Sequence, residues 1–558
     1  MLKRFEKTIF NILNSPFKKN LVLFGTLLLF IGSVMMIPTE LVLAKMLPGK
    51  NNNTFNIYLD LATGSSISQT QEVSKCVVEE LKKEKEVVNI EVFLGMGSPL
   101  DFAGLIKGSQ FKNSENVAEI VVNLTNKHHR EEPSYLLVQR IRPIIQNRCE
   151  KIYPNTSIKF VEPPAGPPTL AAVVAELYGN SKDGLRELAG EIRDIFQHTS
   201  GLVDVDILQD EIYDKIEISA DTVKITRSGL DIKQVNDVLY LAFEGMSVAV
   251  KNSELYDHQI PIFVTLQKKD KIFTSKDIKD IKLKLATLKL MNKSGMMVPL
   301  TEVVNIKTVK SNPKIYTKDL HQMVNVVAET DMVSQVYPLL DARREIIETL
   351  GDRYDIDEVG LFDLELRDRD SGELYKLKWD GEMKVTIDTF RDLGGAFIAA
   401  MVLIFLLMVV YYRSFVLSSI VLLGSFLSII GVIIGHYIMD IFTQDTFFLT
   451  ATSLIGFIAL IGISSRNSLL LLDFTKSLIL EKGMEKREAI AYATATRAKP
   501  IFLTATAIIL ASTLLASDAV FGGLGVSLIF GTVSAVIASL VVVPILIDNS
   551  NLKKYFHF

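Results

Sequence analysis

The sequence predicts an α-helical membrane bundle of six spans, one plus five, carrying a large extracytoplasmic α+β domain. That domain reads as two ferredoxin-like modules, the second interrupted by an insertion. Three observations lead there. The 558-residue chain is split in character: nearly all its charge lies before residue 395 and nearly all its long apolar runs after it. The averages of 22% charged and 48% hydrophobic residues therefore describe no real segment. Six apolar stretches are long enough to cross a bilayer, which takes about 20 residues at roughly 1.5 Å of rise each. Between the first and second stretches, the order β-α-β-β-α-β can be read twice.

The spans are LVLFGTLLLFIGSVMMIP (21–38) and a block within 390–548, at about 390–412, 416–439, 447–473, 500–518 and 523–547. Positive charge sets their orientation. Lys3, Arg4, Lys7, Lys18 and Lys19 occupy the segment 1–20 before the first span. Lys476, Lys482, Lys486, Arg487, Arg497 and Lys499 fill the connection between spans four and five. Arg413 follows span two, and Lys553 and Lys554 lie in the tail, 549–558. The opposite loops, MDIFTQDT and SDAVFG, hold acids and no Lys or Arg. Both termini are expected in the cytoplasm and residues 39–389 outside it. The basic leader is long for a signal peptide and PTELVLAKM is a poor cleavage site, so the first span reads as an uncleaved anchor.

The first outer module, 39–165, opens with the alternating strand TFNIYLDLA and the helical SQTQEVSKCVVEELKK. The strands VVNIEVFLG and NVAEIVVNL follow, then a helix over about 133–151 and the strand SIKFVEP. The second module takes 166–212 and 319–389, with helices over about 182–198 and 333–350 and a last strand near 356–361. The insertion is 213–318. Two copies of one module imply a cleft that can open and close.

Composition narrows the chemistry. A net charge of -4 excludes a basic nucleic-acid binder. No P-loop, metal-ligand spacing or nucleophile motif marks an ordinary enzyme. Cys76 and Cys149 fall on the two helices of the first module. A bridge in an oxidising exterior and a pair of small buried residues are both open readings. His128–His129 sits in a polar stretch that reads as a solvated loop. From its first strand at 54 to its end at 165 the first module has only Met96, which argues against a soft-metal relay.

The membrane block holds one conspicuous charge. Span four, TSLIGFIALIGISSRNSLLLLDF, carries Arg466 about a third of the way in from its cytoplasmic end. An intramembrane cation costs several kcal/mol unless paired or wetted. Snorkelling is the plain alternative, since Asp473 lies seven residues on, roughly 10 Å of helix rise. Ser464, Ser465, Asn467 and Ser468 flank it, so Arg466 reads as buried in a polar cluster. No Asp or Glu stands at mid-depth in any span; Asp440, Asp445, Asp473 and Asp518 are near ends. The inference is that a second polypeptide supplies the carboxylate, and that this chain brings the fixed cation without the titrating acid. Span five opens RAKPIFLTATAIILAS, with Arg497 and Thr504 seven apart on one helix face.

These residues resemble a family. GISSRNSLLLLDF is similar to the tenth-helix motif of resistance-nodulation-division (RND) efflux transporters of the acriflavine-resistance type, with Arg466 where the family usually has Lys. RAKPIFLTA resembles the opening of the eleventh helix. YYRSF, KMLPGKNN and PPAGPPTLAAVVAELYG also match, and the resemblance, to the C-terminal half of such a transporter, covers essentially the whole chain. It implies a proton-relay set of Arg466, Asn467, Arg497 and Thr504, driven by the proton gradient without a cofactor. It implies porter subdomains at the two modules and a docking-type insertion. It also implies a split-chain subunit of a proton antiporter exporting amphipathic or toxic small molecules across the bacterial inner membrane. The missing N-terminal half, with the proton-binding Asp pair, is expected on a separate chain. A trimer, a periplasmic adaptor and an outer-membrane channel are the implied partners. The loop GMGSPLDFAGLIKGSQF (95–111) lies near where the family gates its cleft, which makes Phe102 and Phe111 candidate substrate contacts, with core residues as the alternative. The competing readings are a protein-export membrane subunit of the same topology and a non-transporting structural half.

Overall fold

The computed structural model describes residues 2–49, 51–163, 166–257, 259–271, 278–331, 334–443, 446–518 and 520–550. Asp445, Lys553 and Lys554 lie outside the described residues. The chain divides into two compact units, Met1–Gln209 with Ile315–Phe558, and Asp210–Lys314.

A helix α1 (Leu2–Leu13) and the first span α2 (Pro16–Met35) lead into the outer domain. Ser15 caps α2 ahead of a proline at its first position, a start that needs no N–H there. The first module runs β1 (Thr54–Asp60), α3 (Ile67–Leu81), β2 (Val87–Met96), α4 (Phe102–Lys107), β3 (Asn113–Leu124), α5 (Ser134–Cys149) and β4 (Ser157–Val161). Its antiparallel sheet has the order β2-β3-β1-β4, which is the ferredoxin-like arrangement. Alternate residues Phe55, Ile57 and Leu59 of β1 and Ala118, Ile120 and Val122 of β3 bury one sheet face. Val73, Val77 and Leu81 of α3 and Leu137, Ile141 and Ile145 of α5, each set four apart, fill the space above it. The same packing brings Cys76 and Cys149 to a Cα separation of 5.8 Å, and they are bridged.

The second module begins with β5 (Val173–Tyr178), α6 (Lys182–His198) and β6 (Leu202–Leu208). The second unit follows. It holds β7 (Asp214–Ala220), α7 (Thr222–Arg227), α8 (Ile232–Phe243), the hairpin β8 (Met246–Lys251) with β9 (Ile260–Val264), α9 (Lys268–Lys271), α10 (Ile278–Leu285), the hairpin β10 (Lys289–Met291) with β11 (Met297–Pro299), and β12 (Val304–Lys310). β12 pairs with β7, so this unit closes on itself around Ile225, Leu230, Val235, Leu300 and Val303.

The second module resumes with β13 (Tyr316–Lys318), β14 (His321–Thr330), α11 (Val336–Leu350), β15 (Tyr354–Val359), β16 (Asp363–Asp368) and β17 (Leu374–Asp380). Its sheet order is β13-β14-β5-β17-β16-β15, with β6 also on β14. The strand expected near 356–361 exists as β15 but lies at the sheet edge. The place beside β5 is taken by β17, whose Tyr375, Leu377 and Trp379 all point into the core. The DLELRD and LYKLKWD strands are short and rich in charge, which hides their alternation from a sequence reading.

The membrane block comprises α12 (Glu382–Tyr412), α13 (Phe415–Phe426), α14 (Ser428–Phe442), α15 (Ala451–Leu480), α16 (Lys486–Ala516), α17 (Gly522–Ile537) and α18 (Val543–Asn549). With α2 they supply, among the described residues, six helices or helix pairs long and apolar enough to span a membrane. α16 starts at Lys486, well ahead of the apolar run expected from 500, because KREAIAYATATRAK is built of strong helix formers without being apolar. α1 was legible only as basic charge; it is amphipathic, with Ile9 and Leu13 buried beside Ile490 and Ala493 of α16 and Lys3, Arg4 and Lys7 exposed. α14 crosses α17 through Gly431 and Gly435: a Cβ at 431 would lie 2.2 Å from the Phe530 carbonyl oxygen. At one end of the bundle, Lys19 Nζ lies 2.8 Å and Arg487 Nε 3.4 Å from Asp548. At the other, the Lys45 N–H donates to the Leu449 carbonyl at 3.1 Å.

Candidate functional site

Polar side chains in the membrane gather on α15. Its start is fixed by Thr450, whose side chain accepts the Ser453 N–H at 3.3 Å. From there, Ser464, Ser465, Asn467 and Ser468 turn into the bundle and are buried, and the Ser464 hydroxyl donates to the Gly424 carbonyl at 3.2 Å. Arg466 does the opposite. It is exposed, in a stripe with Ile455, Ala459, Gly462 and Leu470. This corrects the expectation that Arg466 is buried in its own polar cluster. At about 100° per residue, a helix that turns 464, 467 and 468 inward must turn 466 away.

Asp473 is engaged elsewhere. It accepts from the Tyr412 hydroxyl at 2.8 Å and from Tyr411 at 3.4 Å. Among the described residues Arg466 makes no salt bridge. Arg497 is half-buried, with its guanidinium carbon 5.0 Å from the Phe474 ring centroid and a buried Nε that no acceptor meets. Thr504 is exposed and donates to its own helix, at 3.1 Å to the Pro500 carbonyl and 3.0 Å to Ile501. No hydrogen bond joins Arg466, Arg497 and Thr504 to one another among the described residues.

A buried group was missed. His436 of α14 has no exposure. Its Nδ1 donates to the Val432 carbonyl at 2.8 Å, so its Nε2 accepts from the Ser453 hydroxyl at 2.8 Å and ties α14 to α15. Its signal was present: a histidine directly after the GVIIG pattern in an otherwise apolar span.

In the outer domain, loop 95–111 is anchored from below. The Ser98 N–H donates to Glu119 Oε2 at 2.8 Å, and Lys112 lies 3.1 Å from Glu119. Burial works against the charge, yet Lys112 and the Ser109 and Ser98 donors hold Glu119 below the usual carboxylate range. Tyr58, 3.1 Å from Ser109, is pushed up to about 12 by burial. Asp101 caps α4 by accepting the Gly104 N–H at 2.6 Å, and Gly108, at φ +79°, ends it. Phe102 and Phe111 stand out from this frame, 64% and 81% exposed, so neither is a core residue. Leu100, Leu105 and Ile106 are exposed with them.

Charge stitches the two modules. Lys107 of α4 lies 2.6 Å from Glu329 at the end of β14. Arg142 of α5 reaches Asp331 at 3.0 Å and Asp204 at 3.4 Å, and Lys159 of β4 pairs with Asp206. The cations come from the first module and the acids from the second.

This architecture, one span, a double α+β domain and five spans, is that of half an RND pump. Two crystal structures of a heavy metal efflux pump share it at TM-scores of 0.71 and 18% identity, covering 97% and 98% of this chain and 51% of theirs. The profile of the AcrB/AcrD/AcrF family matches residues 1–365 and 369–547, and the chain belongs to that family. Among its relatives, the swarming motility protein SwrC of Bacillus subtilis (strain 168) is 23% identical over 543 residues, 93% of this chain and 45% of that protein. The multidrug resistance protein MdtC of Erwinia tasmaniensis is 23% identical over 377 residues, 66% of this chain and 33% of that protein. The chain thus spans less than half the length of the curated relatives it matches.

Proposed function

We propose that the chain acts as the C-terminal half of a proton-driven RND efflux pump, completed by a separate chain that carries the proton-binding Asp residues. The observation that carries this reading is Arg466, exposed midway along α15 with no carboxylate paired to it among the described residues. Facing lipid, such a cation costs about 2.5–3.5 kcal/mol. Facing a partner's carboxylate, it is satisfied. The small residues Ala459 and Gly462 on the same stripe suit close approach of another helix. The unmet Nε of Arg497 is a second donor awaiting an acceptor.

Protonation of the partner's acid releases Arg466 and lets α15 and α16 shift. α12 transmits such a shift outward, because its first turn is pinned to the second module. The Glu382 and Met383 N–H groups donate to Ala171 and Ala172 at 3.1 and 3.2 Å, and Gln335 donates to Thr386 at 2.7 Å. The two modules serve as porter subdomains and the unit Asp210–Lys314 as the docking piece. The exposed apolar residues of loop 95–111 favour amphipathic small molecules as cargo. The assembly is a trimer in the bacterial inner membrane, both termini cytoplasmic, working with a periplasmic adaptor and an outer-membrane channel. Membership of the efflux family favours this over the protein-export reading.

The test is to tag the chain in its native membrane, extract it gently and identify what copurifies. A six-span protein with an Asp in its fourth helix is the expected companion. Recovery of the chain alone, as a well-behaved oligomer, overturns the proposal and leaves snorkelling or a non-transporting structural half.

A further inference from the structure

Where the outer modules meet the membrane helices lies a partly open cavity of about 160 Å³. Several stretches converge on it: residues 45–49 leading out of α2, the helix α4, residues 162, 163 and 166–169, the end of β14 and the first turn of α12. Three carboxyl groups line it, Glu162, Glu329 and Glu382, with two lysines, Lys45 and Lys107. Lys107 is committed, 2.6 Å from Glu329 and donating at 2.9 Å to the Leu170 carbonyl. Glu162 is different. Its Oε1 is buried and no donor among the described residues reaches it, while the Ser134 hydroxyl serves its carboxyl from α5. An enclosed carboxylate oxygen without a donor is costly when charged, and a proton on that oxygen removes the cost.

We propose that Glu162 is a proton-binding site outside the membrane, holding a proton on Oε1 at this junction, and that release of the proton to solvent draws Lys107 from Glu329 and shifts α4. The charged groups facing Glu162 are Lys45 from the segment after α2, Lys107 from α4, Arg142 from α5, Glu329 from β14 and Glu382 from α12. Burial pushes Glu162 up to about 7 against the pull of Arg142 and Lys45. Once ionised, Glu162 adds a negative charge to a cavity that Lys107 also lines. That lysine ends the short helix that begins at Phe102, so the loop 95–111 responds to outer pH. The site stands whether or not the chain pumps.

The sign follows from linkage. A carboxyl raised in the folded state adds stability that is full below its ordinary value of 4.5 and is lost as pH rises through about 7. Infrared difference spectra of the full chain in lipid vesicles, between about pH 5 and pH 9, read the proton directly. A protonated-carboxyl component with a midpoint near 7 is expected in the wild type, lost from Glu162→Gln with an unchanged amide band, and retained in Glu382→Gln. Hydrogen exchange of residues 95–111, corrected for intrinsic rates, is expected to speed up above the midpoint in the wild type and stay slow in Glu162→Gln. No component near 7 in the wild type, its survival in Glu162→Gln, or its loss in Glu382→Gln alone overturns the site. Exchange of the loop that ignores pH in the wild type overturns the coupling to α4.

Discussion

The Phe160 backbone N–H donates to Asp204 Oδ2 at 2.9 Å, so an edge strand of one sheet is closed by a side chain from the other. Asp204 can reach it because β6 is bulged there: its register on β14 slips between Val327 and Glu329, and Asp204 sits at φ +53°. The same carboxylate accepts from Gln146 at 2.9 Å and faces Arg142. Removing one partner of a buried, hydrogen-bonded pair costs about 3–5 kcal/mol. Asp204→Ala is therefore expected to lower the melting temperature of the full chain sharply, and Asp204→Asn, which still accepts from Phe160, much less. Equal melting temperatures for the two variants would show that the charge and not the hydrogen bond holds the seam.

The Cys76–Cys149 bridge closes a loop of sequence separation 73. On the chain-entropy account such a loop contributes about 4 kcal/mol. Cys149→Ser, or reduction, should destabilise the first module by that order, read as faster proteolysis between α3 and α5. Chain extracted under thiol block should migrate faster on a gel without reductant than with it, which also reports that residues 39–389 meet an oxidising compartment.

The ferredoxin pattern of the first module was legible because its strands alternate and its helices repeat at four, and no other element interrupts the core. The second module was half legible. Its charged strands β16 and β17 carry too few apolar residues to announce themselves, although Tyr375, Leu377 and Trp379 are all buried. The candidate site divided similarly. Arg466 is visible in any hydropathy reading, but its direction is not, because burial of a helix face depends on neighbours the sequence does not order. His436 went unremarked because a histidine does not break an apolar span, and only the packed bundle shows that its ring joins α14 to Ser453.

Gly431 and Gly435 give α14 its close crossing with Phe530 of α17. A side chain at Gly431 meets backbone, not the flexible end of a side chain, so the helices must separate. Gly431→Leu is expected to abolish the folded bundle or cost more than about 3 kcal/mol. Gly395→Leu, where nothing lies within 4 Å, should change stability by less than about 0.5 kcal/mol. Thermal aggregation of the two variants in detergent separates the outcomes.

Arg466 makes opposite demands on the chain alone and on the assembly. With no carboxylate paired to it among the described residues, its charge disfavours the isolated chain in the bilayer, so Arg466→Leu should raise the yield of membrane-inserted chain expressed by itself, by up to about 2.5–3.5 kcal/mol of insertion free energy. If a partner chain supplies the carboxylate, as proposed, the same variant in cells holding that partner should lose export and copurify poorly, since the carboxylate then lacks its cation. Arg466→Lys keeps the charge but not the fork, and separates charge from geometry. Export retained in Arg466→Lys and lost in Arg466→Leu assigns the residue to charge exchange with a titrating acid. Export retained in both would mean that Arg466 merely snorkels, and the small-residue stripe beside it would then have to be explained by lipid.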